Sequence, residues 1–171
     1  MIRIANWFTK RSFGKEFTPT NVIYARKPEL LSFAMKIAKF ESKQNSLDPS
    51  LRILIKLAGA TANGCEFCQD IALATAVREK LGTGRFRALI DGTPGVFTEP
   101  EQAALDVVGE YNRHRRVSDE SFDRLKKHFD EVQIIEILAL NAFEQFYNAL
   151  TVPLGIGSDG LQQIAERSLN S

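Results

Sequence analysis

Apolar residues recur along this chain at intervals of three and four, the spacing of one face of an α-helix. From Pro28 through about Ser42, Leu30, Leu31, Ala34, Ile37, Ala38 and Phe40 keep that rhythm and predict a helix. Asp48 followed by Pro49 reads as an N-cap with proline at the first helical position. The helix expected there runs from Leu51 to Ala62 and closes at Asn63-Gly64, residues that tolerate a left-handed backbone. A further helix is expected from about Cys65 to Leu81, with Gly82 as its stop, and a short one from Gly84 to Ile90. Asp91-Gly92-Thr93-Pro94-Gly95 is a turn. Thr98 and Glu101 have capping-box spacing, opening a helix to about Arg113. Ser118 caps a short amphipathic helix ending near Phe129, and the longest helix is expected from Val132 to Leu150, stopped by Pro153 and Gly155. A last amphipathic stretch, Gly160 to Ser168, reads as a tail helix. Alternation with a period of two and hairpin dipeptides are missing, so no strand is predicted. The pattern predicts an all-α fold: an N-terminal arm over 1–27, one helical domain over 28–156 and a tail over 157–171. The arm is polar and aromatic, and its Trp7, Phe8 and Phe13 are expected to dock on the body or on a neighbouring subunit, with a membrane-surface role as the weaker alternative.

At 171 residues, 44% of them hydrophobic and 25% charged, the chain can bury a core without disulfide staples. Its 22 basic and 21 acidic residues nearly cancel, which argues against a nucleic-acid or anionic-membrane surface as partner. The tight basic run Arg113-His114-Arg115-Arg116 reads as a solvated helix end, where cations complement the helix dipole. No stretch approaches the roughly 18–20 apolar residues that span a bilayer. The first ten residues lack the apolar core of a secretory signal, so a cytoplasmic location is expected.

The chain has two cysteines, Cys65 and Cys68, three positions apart. Two cysteines build no disulfide framework, and the two histidines, His114 and His128, are far away and lack zinc-finger spacing. No metal or other cofactor is expected. Positions three apart share one side of a helix, so the sulfurs can pair. A helix start offers free backbone N–H groups and a positive dipole end, both of which favour the thiolate. Such a dithiol can be oxidised by a peroxide or a disulfide and reduced again by exchange. Two small core residues are the bland alternative. Exposure at the helix start favours Cys65 as the attacking thiol, while Cys68 remains a second candidate.

Several segments together resemble the carboxymuconolactone decarboxylase superfamily, and within it the alkylhydroperoxidase D-like branch. They are Leu47-Asp48-Pro49-Ser50-Leu51-Arg52, Asn63-Gly64-Cys65-Glu66-Phe67-Cys68-Gln69-Asp70 and Phe97-Thr98-Glu99-Pro100-Glu101-Gln102-Ala103-Ala104-Leu105. Val117 to Glu120, Glu131 to Ile137, Asn148-Ala149-Leu150 and Leu154-Gly155-Ile156 extend the likeness across Pro28 to Ile156. The resemblance implies an alkylhydroperoxidase D-like helical bundle that assembles into dimers, trimers or hexamers. It also implies a Cys65/Cys68 dithiol acting on a hydroperoxide or disulfide and recharged by a lipoyl- or thioredoxin-type reductant. Its proton relay, a glutamate on the preceding helix and a histidine one turn past the second cysteine, falls on Ile53 and Ala72, and neither carries a proton. Glu66 and Asp70, the nearest carboxylates, and Lys56, one turn beyond Ile53, are the candidate substitutes, with Tyr111, Tyr147 and Glu144 on other helices unplaced by the sequence. The expected function is therefore a thiol–disulfide oxidoreductase with weak peroxidase-like activity. The alternative is a non-catalytic oligomeric scaffold or redox-sensing member. Lactone decarboxylation ranks last, because no acid–base pair for it is evident.

Overall fold

The computed structural model describes residues 1–169, which form nine α-helices and no strand. They are α1 (Ile2–Phe13), α2 (Pro28–Lys43), α3 (Pro49–Ala62), α4 (Glu66–Arg78), α5 (Gly84–Ile90), α6 (Glu99–His114), α7 (Asp119–Lys126), α8 (Glu131–Thr151) and α9 (Leu161–Leu169). A single π-helical turn, Thr20–Tyr24, joins α1 to α2, and a 3-10 turn, Val152–Leu154, follows α8.

Helix α3 is the axis of the bundle. Leu54, Ile55, Leu57 and Ala60 are fully buried on several sides of it, as expected of a helix enclosed by others. It packs on α4, α5, α6 and α8. The Asp48 carboxylate accepts the Ser50 N–H, and Pro49 sits at the first helical position. Gly59 lets α8 come close: a Cβ there would stand 3.0 Å from Glu144 Cγ and 3.2 Å from Asn141 Oδ1. Helix α6 begins with the reciprocal Thr98–Glu101 capping box and α8 with that of Asp130 and Gln133. At the end of α3, Gly64 adopts φ +64°, a value favourable only to residues such as glycine, and turns the chain into α4.

Most expected helices stand where the hydrophobic rhythm puts them, within a few residues. Helix α4 ends at Arg78 rather than Leu81, because Lys80 takes a left-handed backbone before Gly82. The arm differs more. The arm, to which the sequence pattern assigns no helix, contains α1, whose inner face of Ile2, Ala5 and Phe13 packs on the body. The Phe13 and Phe17 rings lie 5.0 Å apart and Phe17 meets Phe67 at 5.4 Å, so the arm is fastened to α4. Phe13 docks on the body, whereas Trp7 and Phe8 are 63% and 60% exposed and do not dock on it.

Candidate functional site

The cysteine pair lies where α3 hands the chain to α4. Cys65 N–H donates to the Ala60 carbonyl at 2.9 Å, which pins the turn. Cys65 is the N-cap of α4, and its Sγ accepts the Cys68 N–H at 3.3 Å, one of the unpaired donors of a helix start. The two side chains are joined as a disulfide, with Cα atoms 5.2 Å apart. Thr151, on the last turn of α8, brings its hydroxyl to 3.1 Å from Cys65 Sγ and 3.8 Å from Cys68 Sγ. That hydroxyl also donates to the Tyr147 carbonyl at 3.0 Å.

The sequence expectation that Cys65 is exposed is overturned. Cys65 is 1% and Cys68 5% exposed, both in an apolar cluster with Tyr24, Phe67, Ala74, Ile156, Leu161 and Ala165. The helix start is not at the surface because the arm, α9 and the segment after α8 close over it. A reactant reaches the sulfurs only when this packing opens locally.

Ile53 and Ala72 do converge. Both are buried in one apolar cluster with Leu54, Leu57, Leu73, Ala76, Phe86 and Leu105. The two positions onto which the resemblance places the relay share one buried apolar cluster and supply no proton-bearing group.

The three charged residues considered as substitutes have separate fates. Glu66 is exposed and faces the segment after α8, its Oε2 3.1 Å from where a Cβ on Gly157 would stand. Asp70 is buried and engaged elsewhere: its carboxylate accepts the Ser158 hydroxyl and the backbone N–H groups of Leu161 and Gln162 at 2.8–2.9 Å. It caps α9 from a different helix. Lys56 donates to Glu41 Oε2 at 2.9 Å and lies 5.8 Å from the centre of the Tyr147 ring.

Lys56 thereby belongs to a charged group between α2, α3 and α8. Burial pulls its pKa down, but Glu41 and Glu144 outweigh that and hold it above the usual lysine value. Glu144 is 3% exposed. Burial raises its carboxyl to about 7, with Lys56 opposing and Glu41 adding to the rise. Tyr147 donates to the Ala34 carbonyl at 3.3 Å, and its phenol is pushed well above the ordinary range by burial first and then by Glu41, Tyr24 and Glu144. Tyr111, by contrast, is 40% exposed near the end of α6, with Arg115 over its ring.

Thr151 was not recognisable from motif spacing, yet a signal existed. Asn141, Glu144, Asn148 and Thr151 recur every three or four residues along the mostly apolar α8, and each is 3% exposed. A polar stripe on the buried side of a helix marks a place where polar groups must find partners. Here Asn148 Nδ2 donates to the Gly59 carbonyl at 3.3 Å, and Asn141 Nδ2 to Asn112 Oδ1 at 3.2 Å. Among the described residues no three His, Cys, Asp or Glu side chains are grouped to hold a metal ion.

The carboxymuconolactone decarboxylase family model matches residues 28–110. The chain is 27% identical over 135 residues to the uncharacterized protein YdfG of Bacillus subtilis, covering 77% of this chain and 91% of that protein. It is likewise 27% identical over 175 residues to the uncharacterized protein YnjA of Escherichia coli, covering 98% and 93%. A solved alkylhydroperoxidase AhpD core, an uncharacterized peroxidase-related protein of Ralstonia eutropha, superposes with a TM-score of 0.83 at 18% identity, covering 96% of this chain and 88% of that one. The likeness to the carboxymuconolactone decarboxylase family thus spans residues 28–110, and the all-α bundle has an alkylhydroperoxidase D-like fold.

Proposed function

We propose that this protein is a thiol–disulfide oxidoreductase with weak peroxidase-like activity, cycling Cys65 and Cys68 between dithiol and disulfide. The observation that carries the reading is the pair itself: disulfide-bonded at a helix start, with the Thr151 hydroxyl touching both sulfurs. In the peroxidatic half-reaction one thiolate attacks a hydroperoxide oxygen, the O–O bond breaks, and the alcohol leaves with a proton. The second thiol then attacks the sulfenic sulfur, the S–O bond breaks with release of water, and the disulfide closes. An external dithiol of lipoyl or thioredoxin type would return two electrons and two protons by exchange. Reaction is slow for two reasons: both sulfurs are buried, and Ile53 and Ala72 offer no general base where such assistance is worth about 10²–10⁴ in rate. We also propose a cytoplasmic location and a homo-oligomeric state, the latter supported by apolar side chains exposed on α2 (Phe33, Met35) and early α8 (Val132, Ile135).

The same burial favours a second reading, in which the pair is a redox-dependent staple within a non-catalytic scaffold. One titration separates them. The reduced protein, freed of reductant, receives one equivalent of a hydroperoxide, and its thiols are counted with time. Loss of two thiols per chain, faster than in a Cys68→Ser variant, is expected of the enzyme. Persistence of both thiols removes the oxidoreductase reading.

A further inference from the structure

Helix α1 has two faces with opposite fates. Ile2, Ala5 and Phe13 pack inward, and Asn6 Nδ2 donates to Asn21 Oδ1 at 2.8 Å, which fixes how the helix is rotated about its axis. Held that way, α1 turns Ile4, Trp7 and Phe8 outward, 69%, 63% and 60% exposed. Arg3, Lys10 and Arg11 share or flank this face, with the Arg11 guanidinium 5.8 Å over the Trp7 ring. None of the three makes an ion pair among the described residues, whereas Lys15 is already matched by Asp159. No acidic residue occurs before Glu16, and the only carboxylate lining the adjoining hollow is Glu79, which stands between Arg78 and Lys80. The near-zero charge of the whole chain therefore conceals a local surplus of cations around an aromatic surface.

We infer that the outward face of α1, Ile4, Trp7 and Phe8 framed by Arg3, Lys10 and Arg11, rests on an anionic lipid surface. Indole and phenyl rings sit at the boundary between headgroups and acyl chains, while Arg and Lys meet the lipid phosphates. The charge pattern selects this occupant over a second copy. A two-fold contact of α1 with itself would set these three cations against the same three. The helix lies on the surface and does not cross it, since no helix among the described residues is long and apolar enough to span a bilayer.

Trp7 is the sole tryptophan, so its emission reports this face alone. The whole protein is mixed with vesicles of equal parts phosphatidylglycerol and phosphatidylcholine, and separately with pure phosphatidylcholine. On the anionic vesicles a blue shift and co-sedimentation are expected, both weakened by high salt. Ile4→Ser with Phe8→Ser keeps the reporter and alters only exposed side chains. It should lower partitioning by roughly tenfold or more with the melting temperature unchanged. Arg3→Gln with Lys10→Gln and Arg11→Gln should weaken binding to the anionic vesicles. Absence of a shift and of co-sedimentation overturns the inference. So does equal, salt-independent binding to both vesicle types, or a blue shift that follows protein concentration without lipid, which would mean that another protein chain covers the face.

Discussion

The Thr151 hydroxyl and the Cys65 sulfur stand 3.1 Å apart, although 86 positions separate them in the chain. The contact joins the last turn of α8 to the first of α4. A hydroxyl carries one proton and two acceptor sites. While it donates to the Tyr147 carbonyl, it can accept from a Cys65 thiol; turned around, it can donate to a thiolate. Thr151→Val keeps the shape and removes both options. The pKa of the more acidic thiol should rise, and alkylation of the reduced protein near neutral pH should slow several-fold to about tenfold. Stability should fall by only about 1 kcal/mol. An unchanged pH profile of alkylation would show that Thr151 merely packs there.

Asp70 acts on the site through α9. It holds the Leu161 and Gln162 N–H groups, and Leu161 and Ala165 of that helix lie in the apolar cluster of the sulfurs. Asp70→Ala should destabilise the protein by about 2 kcal/mol, as expected for loss of a buried cap. It should also speed alkylation of the reduced cysteines, because α9 then opens more often. Thermal melting and stopped-time alkylation measure the two effects. A destabilised variant with unaltered thiol kinetics would place the opening elsewhere.

How much of this was visible in the sequence follows from the range of each interaction. Asp48-Pro49, Thr98 with Glu101, and Ser118 are signals carried within one turn, and the helices they begin appear where expected. The cysteine spacing is local too. Helix α1 was missed because no side chain caps its start, and its apolar residues divide between an inner and an outer face instead of forming one stripe. The burial of Cys65 and the approach of Thr151 and Glu144 depend on how α8, α9 and the arm fold back over α3 and α4. Asp70 shows the same limit: its sequence neighbours suggest a favourable first-turn charge, and its actual partners are some ninety residues away.

Ile53 and Ala72 offer a test by gain of function. Both lie in one apolar cluster, so Ile53→Glu with Ala72→His would place two polar groups in the same buried region. The exchange should cost about 1–3 kcal/mol in stability through altered packing and desolvation. If a relay at these positions can serve the dithiol, peroxide-dependent thiol loss should accelerate by about 10². A folded double variant with the parental rate would mean that burial of the sulfurs, rather than a missing base, limits the reaction.

Glu144 ties the buried charge group to pH. Its carboxyl titrates at about 7 in the folded protein against 4.5 ordinarily, because burial disfavours the anion. Below pH 4.5 it is protonated in both states and has no effect on the balance between them. Between 4.5 and 7 the unfolded chain ionises while the folded one keeps its proton, so the folded state binds more protons and loses stability as pH rises. Above 7 both are ionised and the loss levels off. The contribution is at most about 3 kcal/mol across this window. Glu144→Gln abolishes it, so stability measured by denaturant unfolding should decline less from pH 4.5 to 7 in the variant than in the parent. Above pH 7 the variant should be the more stable of the two, unless Lys56, left with Glu41 as its charged partner, loses as much as the carboxylate's removal gains. Parallel curves for the two proteins over the whole range would mean that the Glu144 carboxyl is ionised in the fold at ordinary pH, held so by Lys56 against the pull of burial.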